Sequence, residues 1–182
     1  LRGVARPVPS CGGASGLIPA PGFSFNDPET SMHDALRDQA IAALNQILET
    51  ELAGVVRYTH YSLMVYGYNR IPIVSWLKGN ATESLAHAHR AGEMVTLLGG
   101  HPSLKIGNLL ETEQHDVGDI LRESLEHEQS ALDGYYGLLK IVEGHSVLLE
   151  EYAREMIVQE ELHLDEVNKM LRQPGAMEPF CG

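Results

Sequence analysis

The segment SVLLEEYAREMIVQEELHLDEVNKML, residues 146–171, sets apolar or small side chains at alternating steps of four and three: Leu149, Ala153, Met156, Val167 and Met170. That period is one face of an α-helix, which Ser146 can cap at its start and Pro174-Gly175 stops. Glu160 and His163 occupy two steps of the same face, where leucines would be expected. The pattern recurs upstream. One helix runs Leu44, Leu48, Glu51, Val55, Tyr58, Ser62, and another Leu121, Leu125, Glu128, Leu132, Tyr135, Leu139. A further helix reads Trp76, Asn80, Glu83, His87, Ala91, Met94, Leu98. Each of the four stripes therefore carries a glutamate at its middle.

The helix ends follow from local signals. Thr30 or Ser31 can cap the first helix, with Asp34 in its first turn, and the pattern runs to about Tyr66 before Gly67. Pro72 suits the first turn of the second helix, which continues to Leu98 and meets Gly99-Gly100-His101-Pro102. Asp116 opens the third, which runs to about Glu143 with Gly144 as its stop. No segment alternates with period two long enough for a strand. The expected architecture is all-α: two antiparallel hairpins, tightly linked at 67–71 and 144–146, joined by a long crossover over 101–115.

Four carboxylates converging on one dry interior are costly, since each loses hydration and they repel one another. No matching set of core-facing Arg or Lys accompanies them. Either some are protonated or cations sit between them. Glu51, Glu83, Glu128 and Glu160 with neutral His87 and His163 balance two divalent ions, and oxygen plus imidazole donors without thiolate suit iron, manganese or zinc. Glu51 precedes Glu83 by the same interval as Glu128 precedes Glu160, and a histidine follows one turn after each second glutamate. The chain reads as two copies of one helical hairpin.

The whole chain has 182 residues, 43% hydrophobic, which suits a domain with a real core. Lys+Arg number 13 against 25 Asp+Glu, a formal charge of -12 that argues against nucleic-acid or anionic-membrane partners and favours cations. No apolar run reaches membrane-spanning length. Residues 1–30, dense in Pro and Gly, read as a non-helical extension; 31–172 form the bundle and 173–182 a short tail. Cys11 and Cys181 form neither a metal motif nor a disulfide framework, so a reducing, cytoplasmic setting is expected, and no secretory signal is visible in a sequence that starts at Leu1 rather than Met.

These residues resemble the ferritin-like superfamily, and within it bacterioferritin, over roughly residues 38–171. The resemblance rests on Leu44-Asn45-Gln46-Ile47-Leu48 leading into Glu51-Leu52, on Tyr58, on Leu98-Gly99-Gly100-His101-Pro102 and on Glu160-Glu161-Leu162-His163. It implies that Glu51, His87, Glu128, Glu160 and His163 bind two irons within one subunit, with Tyr58 beside the metals. It also implies oxidation of Fe²⁺ by O₂ or H₂O₂ and storage of ferric mineral in a homo-oligomeric cage of 12 or 24 subunits. The chain departs from the pattern in three places. Ser84, not Glu, stands three residues before His87, so the second helix either supplies Glu83 at a spacing of four or has a weakened second site. Leu85 replaces the methionine that would ligate haem, so no haem is expected. The Pro- and Gly-containing tail after Arg172 does not support a fifth helix.

Taken singly, each glutamate reads as a solvated helix face, and Tyr58 reads equally as a plain core tyrosine. His60, His89, Glu126 and His127 flank the stripes as surface or ion-path residues, and Trp76 reads as packing. Glu161 and Asp165 fall off the stripe and read as solvated. The alternatives to a ferroxidase store are a non-storage di-iron or di-manganese catalase, peroxidase or oxygenase, and a helical scaffold with protonated acids.

Overall fold

The computed structural model describes residues 33–110 and 112–179. It contains four helices: α1 (Asp34–Met64), α2 (Arg70–Leu97), α3 (Val117–Val142) and α4 (Val147–Leu171). The expected all-α architecture is what forms, and no strand or fifth helix occurs among the described residues. Among the described residues, no helix is long and apolar enough to cross a membrane. The expected capping residues Thr30 and Ser31, the 1–30 extension and both cysteines lie outside the described residues.

Local chemistry sets the ends. Asp116 accepts a bond from the Gly118 N–H at 2.8 Å, and Ser146 accepts one from the Leu149 N–H at 3.4 Å, so both serve as N-caps. Gly67 and Gly144 close the two hairpin turns with φ of +91° and +76°, the left-handed region that side chains with a Cβ resist. α1 packs on α2 and α3 on α4 as hairpins, and the hairpins meet along α1 and α3.

The crossover, residues 98–116, is tied along α1 rather than hanging free. Ser103 N–H donates to Asn45 Oδ1 at 2.8 Å, the Asn45 amide donates to His101 O at 3.1 Å, and Gly107 N–H donates to Glu49 O at 2.8 Å. Farther on, Thr112 donates to the Glu123 carboxylate at the start of α3. These bonds lay the connection along α1 from its first half towards its end, which sets α3 antiparallel to α1.

The interior has three layers. One apolar cluster gathers Leu44, Leu48, Leu138, Leu149 and Met156. A second, nearer the α1–α2 turn, gathers Tyr58, Tyr61, Val65, Leu77 and Ile120. Between them lies a buried polar belt of Glu51, His87, Glu128 and Glu160. Burial of the flanking layers drives the bundle to close, and closure carries the belt out of water.

The α2 stripe differs from the sequence-based expectation. Its buried residues are Leu77, Ser84, His87, Ala88, Ala91 and Val95, whereas Trp76, Asn80, Glu83, Met94 and Leu98 are half-buried at its margin. One residue turns a helix by about 100°, so two neighbouring stripes can look equally periodic, and packing against the other hairpin selects between them. His127 is the other difference. It is buried at 4% exposure, not a surface residue, because it fills the gap left by Gly54 on α1.

A Cβ at Gly54 would lie 2.6 Å from His127 Nε2 and 2.8 Å from Ser84 Oγ. Three helices therefore meet at this glycine. The variant Gly54→Ala is expected to lose about 1–3 kcal/mol of stability despite its better helix propensity, because the contacted groups are buried and already packed. Urea denaturation checks this, and a variant as stable as the parent would show that His127 has room to move.

Candidate metal centre

Each member of the polar belt comes from mid-helix, where the backbone satisfies itself and only the side chain needs a partner. Two groups of potential ligands result. Glu51, His87 and Glu160 form one; Glu128, Glu160 and His163 form the other. Within each, one donor atom per residue lies within 4.8 Å of the rest. Glu160 belongs to both. Its Oε1 is 3.0 Å from His87 Nδ1, and its Oε2 is 3.7 Å from His163 Nδ1, so the two oxygens face different groups. Glu51 Oε1 completes the first at 3.6 Å from His87 Nδ1, and Glu128 Oε2 the second at 3.9 Å from His163 Nδ1. The imidazoles lie nearly parallel, 6.1 Å apart with 16° between planes.

The outer atoms are held as well. His87 Nε2 lies 3.2 Å from Gln159 Oε1, and His163 Nε2 lies 3.2 Å from Glu83 Oε1. A ring that donates from Nε2 leaves the Nδ1 lone pair facing the cluster, the arrangement that orients a histidine ligand. The carboxylates are steered from the far hairpin: Tyr135 on α3 donates to Glu51 Oε1 at 2.8 Å, and Tyr58 on α1 donates to Glu128 Oε1. Tyr58 thus has a bond into the cluster. Tyr135 does the same for the other group, and sequence reading placed it only as core. The available signal was its spacing, since Tyr135 follows Glu128 by the interval at which Tyr58 follows Glu51.

The two hairpins correspond through their histidines. Ser84 stands three residues before His87 as Glu160 stands three before His163, and Glu83 corresponds to Gln159. Glu83 accordingly binds the outer nitrogen of His163 and lies outside both ligand groups. Ser84 occupies the buried position on α2 that matches Glu160. The cluster is therefore lopsided, with one shared carboxylate instead of two.

Electrostatics follow from burial and these contacts. Burial pushes the Glu51 carboxyl up, and the charge of Glu160 adds to it. Burial and Glu160 raise Glu128 to about 8. Burial would also raise Glu160, yet its bonds with His163 and His87 outweigh that and hold it at about 2. Burial would lower His87, but Glu160 and Glu51 raise it to about 10. The bond to Glu160 lifts His163 to about 9 despite its burial. Burial and the Arg57 charge instead lower His127 to about 4. Without a cation the belt is thus held together by protons.

The donor set fits two divalent ions. Oxygen and imidazole nitrogen suit iron, manganese or zinc, and the carboxylate between the groups can face both ions at once. Glu160 Oε1 is buried with the His87 ring nitrogen 3.0 Å away as its neighbour and makes no well-aligned hydrogen bond, so a lone pair is open to a metal once that ring gives up its proton. Asn80, Glu83, Ser84, His127 and Ala131 complete the cavity wall around the ligands. Of the other residues weighed from sequence, Glu126, His89 and Glu161 are exposed, and Glu161 accepts a bond from Tyr136 at 2.6 Å. Asp165 is half-buried and paired with Lys169. Trp76 packs edge-on to Tyr58 with centroids 6.2 Å apart.

Solved structures share this fold. A ferritin-like, diiron-carboxylate protein from Bacillus anthracis is 21% identical, with a TM-score of 0.73 over 77% of this chain and 100% of that one. A Desulfovibrio desulfuricans bacterioferritin, whose diiron site was observed in different catalytic states, is 24% identical, with a TM-score of 0.66 over 75% of this chain and 80% of its own. A Rhodobacter capsulatus bacterioferritin with a metal-free dinuclear site and haem iron is 22% identical, with a TM-score of 0.69 over 78% and 86%. No curated protein sequence matches. The ferritin-like domain family matches residues 41–176, most of the bundle. By that match, which spans all the residues of the cluster, the chain belongs to the ferritin-like domain family.

Proposed function

We propose that this protein is a ferroxidase that oxidises Fe²⁺ with O₂ or H₂O₂ inside each subunit and stores the ferric product in a homo-oligomeric shell. The observation that supports this most is Glu160, one buried carboxylate shared by two Glu–His groups from four helices. Glu51, His87 and Glu160 hold one ion, and Glu128, His163 and Glu160 the other. When bound, the iron pair supplies the electrons that reduce the oxidant.

The chain's own part is to bind, orient and shield. Tyr135 and Tyr58 fix the carboxylates that neutralise the growing positive charge of the ferric state. Glu83 and Gln159 fix the histidine rings, so Glu83 is assigned to orienting His163 rather than to direct ligation. The two apolar layers keep bulk water from the belt. Protons leaving His87, His163 and Glu128 on metal binding meet the acidic exterior of a chain with formal charge -12, which also draws cations inward.

The test is aerobic addition of Fe²⁺ to the purified protein, followed by ferric absorbance and size-exclusion chromatography. The expected outcome is rapid oxidation over the protein-free rate, with iron co-eluting at hundreds of kilodaltons from chains of 20.0 kDa. Oxidation or peroxide turnover by a dimer or hexamer holding no mineral would instead establish a non-storage redox enzyme. No acceleration at all would overturn both readings.

A further inference from the structure

Beside the metal cavity, on the α1–α3 seam, lies a second recess of about 300 Å³. Its wall includes Thr50, Arg57, Asn108, Glu126, His127 and Ser130. His127 is common to both spaces.

Arg57 is the unusual member. It is 8% exposed and forms no ion pair among the described residues. Its Nη2 donates to the Glu123 carbonyl oxygen at 2.8 Å and to the Tyr61 hydroxyl oxygen at 3.3 Å, both uncharged acceptors. The Glu123 carboxylate is engaged elsewhere, by Tyr61 at 2.6 Å and by Thr112. The Arg57 Nε–H is buried with no acceptor. A guanidinium taken out of water needs a compensating anion or a full set of acceptors, and among the described residues this one meets a carboxylate only indirectly, through the Tyr61 hydroxyl that bonds Glu123.

We propose that this recess binds a small oxyanion of the phosphate or sulfate type, with Arg57 as its charge partner and Asn108, Thr50 and Ser130 as hydrogen-bonding wall. Arginine's planar fork matches the edge of such an anion, and the hydroxyl and amide groups can complete its shell. A buried cation at this place also makes the recess unsuited to a cation path. Glu126, exposed at the rim, opposes the anion and sets the direction of one variant. The inference stands independently of the redox reading, since it uses none of the five residues assigned to hold the metals.

The experiment is calorimetric titration of the full chain, free of added metal, with inorganic phosphate and with sulfate, against chloride at matched ionic strength. Saturable binding of one oxyanion per chain is expected, with none for chloride. Arg57→Gln should weaken it roughly tenfold or more. Because that variant also loses two internal bonds, the surface variants carry the decision. Asn108→Asp should weaken binding about tenfold, and Glu126→Gln should tighten it several-fold by removing a nearby negative charge. Binding should persist in Glu160→Ala, which separates the recess from adventitious metal in the cluster. The proposal is overturned if the oxyanions give no more signal than chloride, if both surface variants match the parent, or if Glu160→Ala abolishes binding.

Discussion

Replacing Glu160 with alanine is expected to remove both metal positions at once. Glu160 alone belongs to both ligand groups, with one oxygen toward His87 and the other toward His163. Glu51→Ala or Glu128→Ala takes one carboxylate from one group and leaves the other group closed. The three variants should therefore separate cleanly in an anaerobic Co²⁺ or Fe²⁺ titration. The parent binds two ions per chain, the Glu51 and Glu128 variants keep one tight position, and the Glu160 variant keeps none. Losing an outer partner of a metal ligand typically costs 10–100-fold, so loss of a carboxylate shared by two ions should slow iron oxidation by about a hundredfold or more. Two ions bound per chain in Glu160→Ala would show that the carboxylate is not shared and that the overlap of the two groups is incidental.

The second large effect is on pH. A metal ligand must be deprotonated, whereas at neutral pH this cluster is loaded with protons. His87 at about 10, His163 at about 9 and Glu128 at about 8 all retain theirs, and burial biases Glu51 the same way. Glu160, held at about 2, is already ionised. Binding two ions near pH 7 should therefore expel about three protons, and each proton displaced makes the overall constant tenfold larger per pH unit. The combined affinity is expected to rise by roughly a hundredfold or more from pH 6 to pH 7, and again to pH 8. Titrations at the three pH values, with proton release followed in weak buffer, measure it.

The metal-free protein should behave in the opposite sense. His87 and His163 titrate above their ordinary value of 6.5, so the stability they add is complete below that pH and is lost as pH climbs through about 9 and 10. Glu128, raised to about 8, also favours the folded state less as pH rises past its ordinary 4.5. Glu160 acts only in acid, its contribution fading as pH falls from 4.5 through about 2. The melting temperature without metal is expected to fall between pH 6 and pH 9, and saturating divalent metal should reverse the trend. A flat profile in both states would mean that these side chains are not gathered in a dry interior.

Much of this site is legible in the chain because helices report their buried face locally. Glu51, Glu128, Glu160 and His163 fall on stripes whose apolar members, from Leu44 to Met156, pack as the spacing requires. Asp116 and Ser146 act as the caps their residue types suggest. Helix α2 was ambiguous for a physical reason. Its sequence holds two adjacent stripes, Trp76–Glu83–Met94 and Leu77–Ser84–Val95, and neither is apolar enough to exclude the other. His127 was misplaced because its burial depends on Gly54, remote in sequence, having no side chain.

The amino-acid order alone thus determined four helices in two hairpins, and it determined that glutamates and histidines would meet where their bundle closes, because a period of 3.6 residues and the cost of exposed apolar surface act along each segment by itself. Only the tertiary structure decided that Ser84 rather than Glu83 faces the interior, that Glu160 divides its oxygens between the two groups, and that Arg57 is buried without an ion pair among the described residues. Those outcomes depend on how one helix is rotated against its neighbours. A rotation of one residue's arc is cheap within an isolated helix, and it is fixed only when the opposite hairpin supplies the contacts.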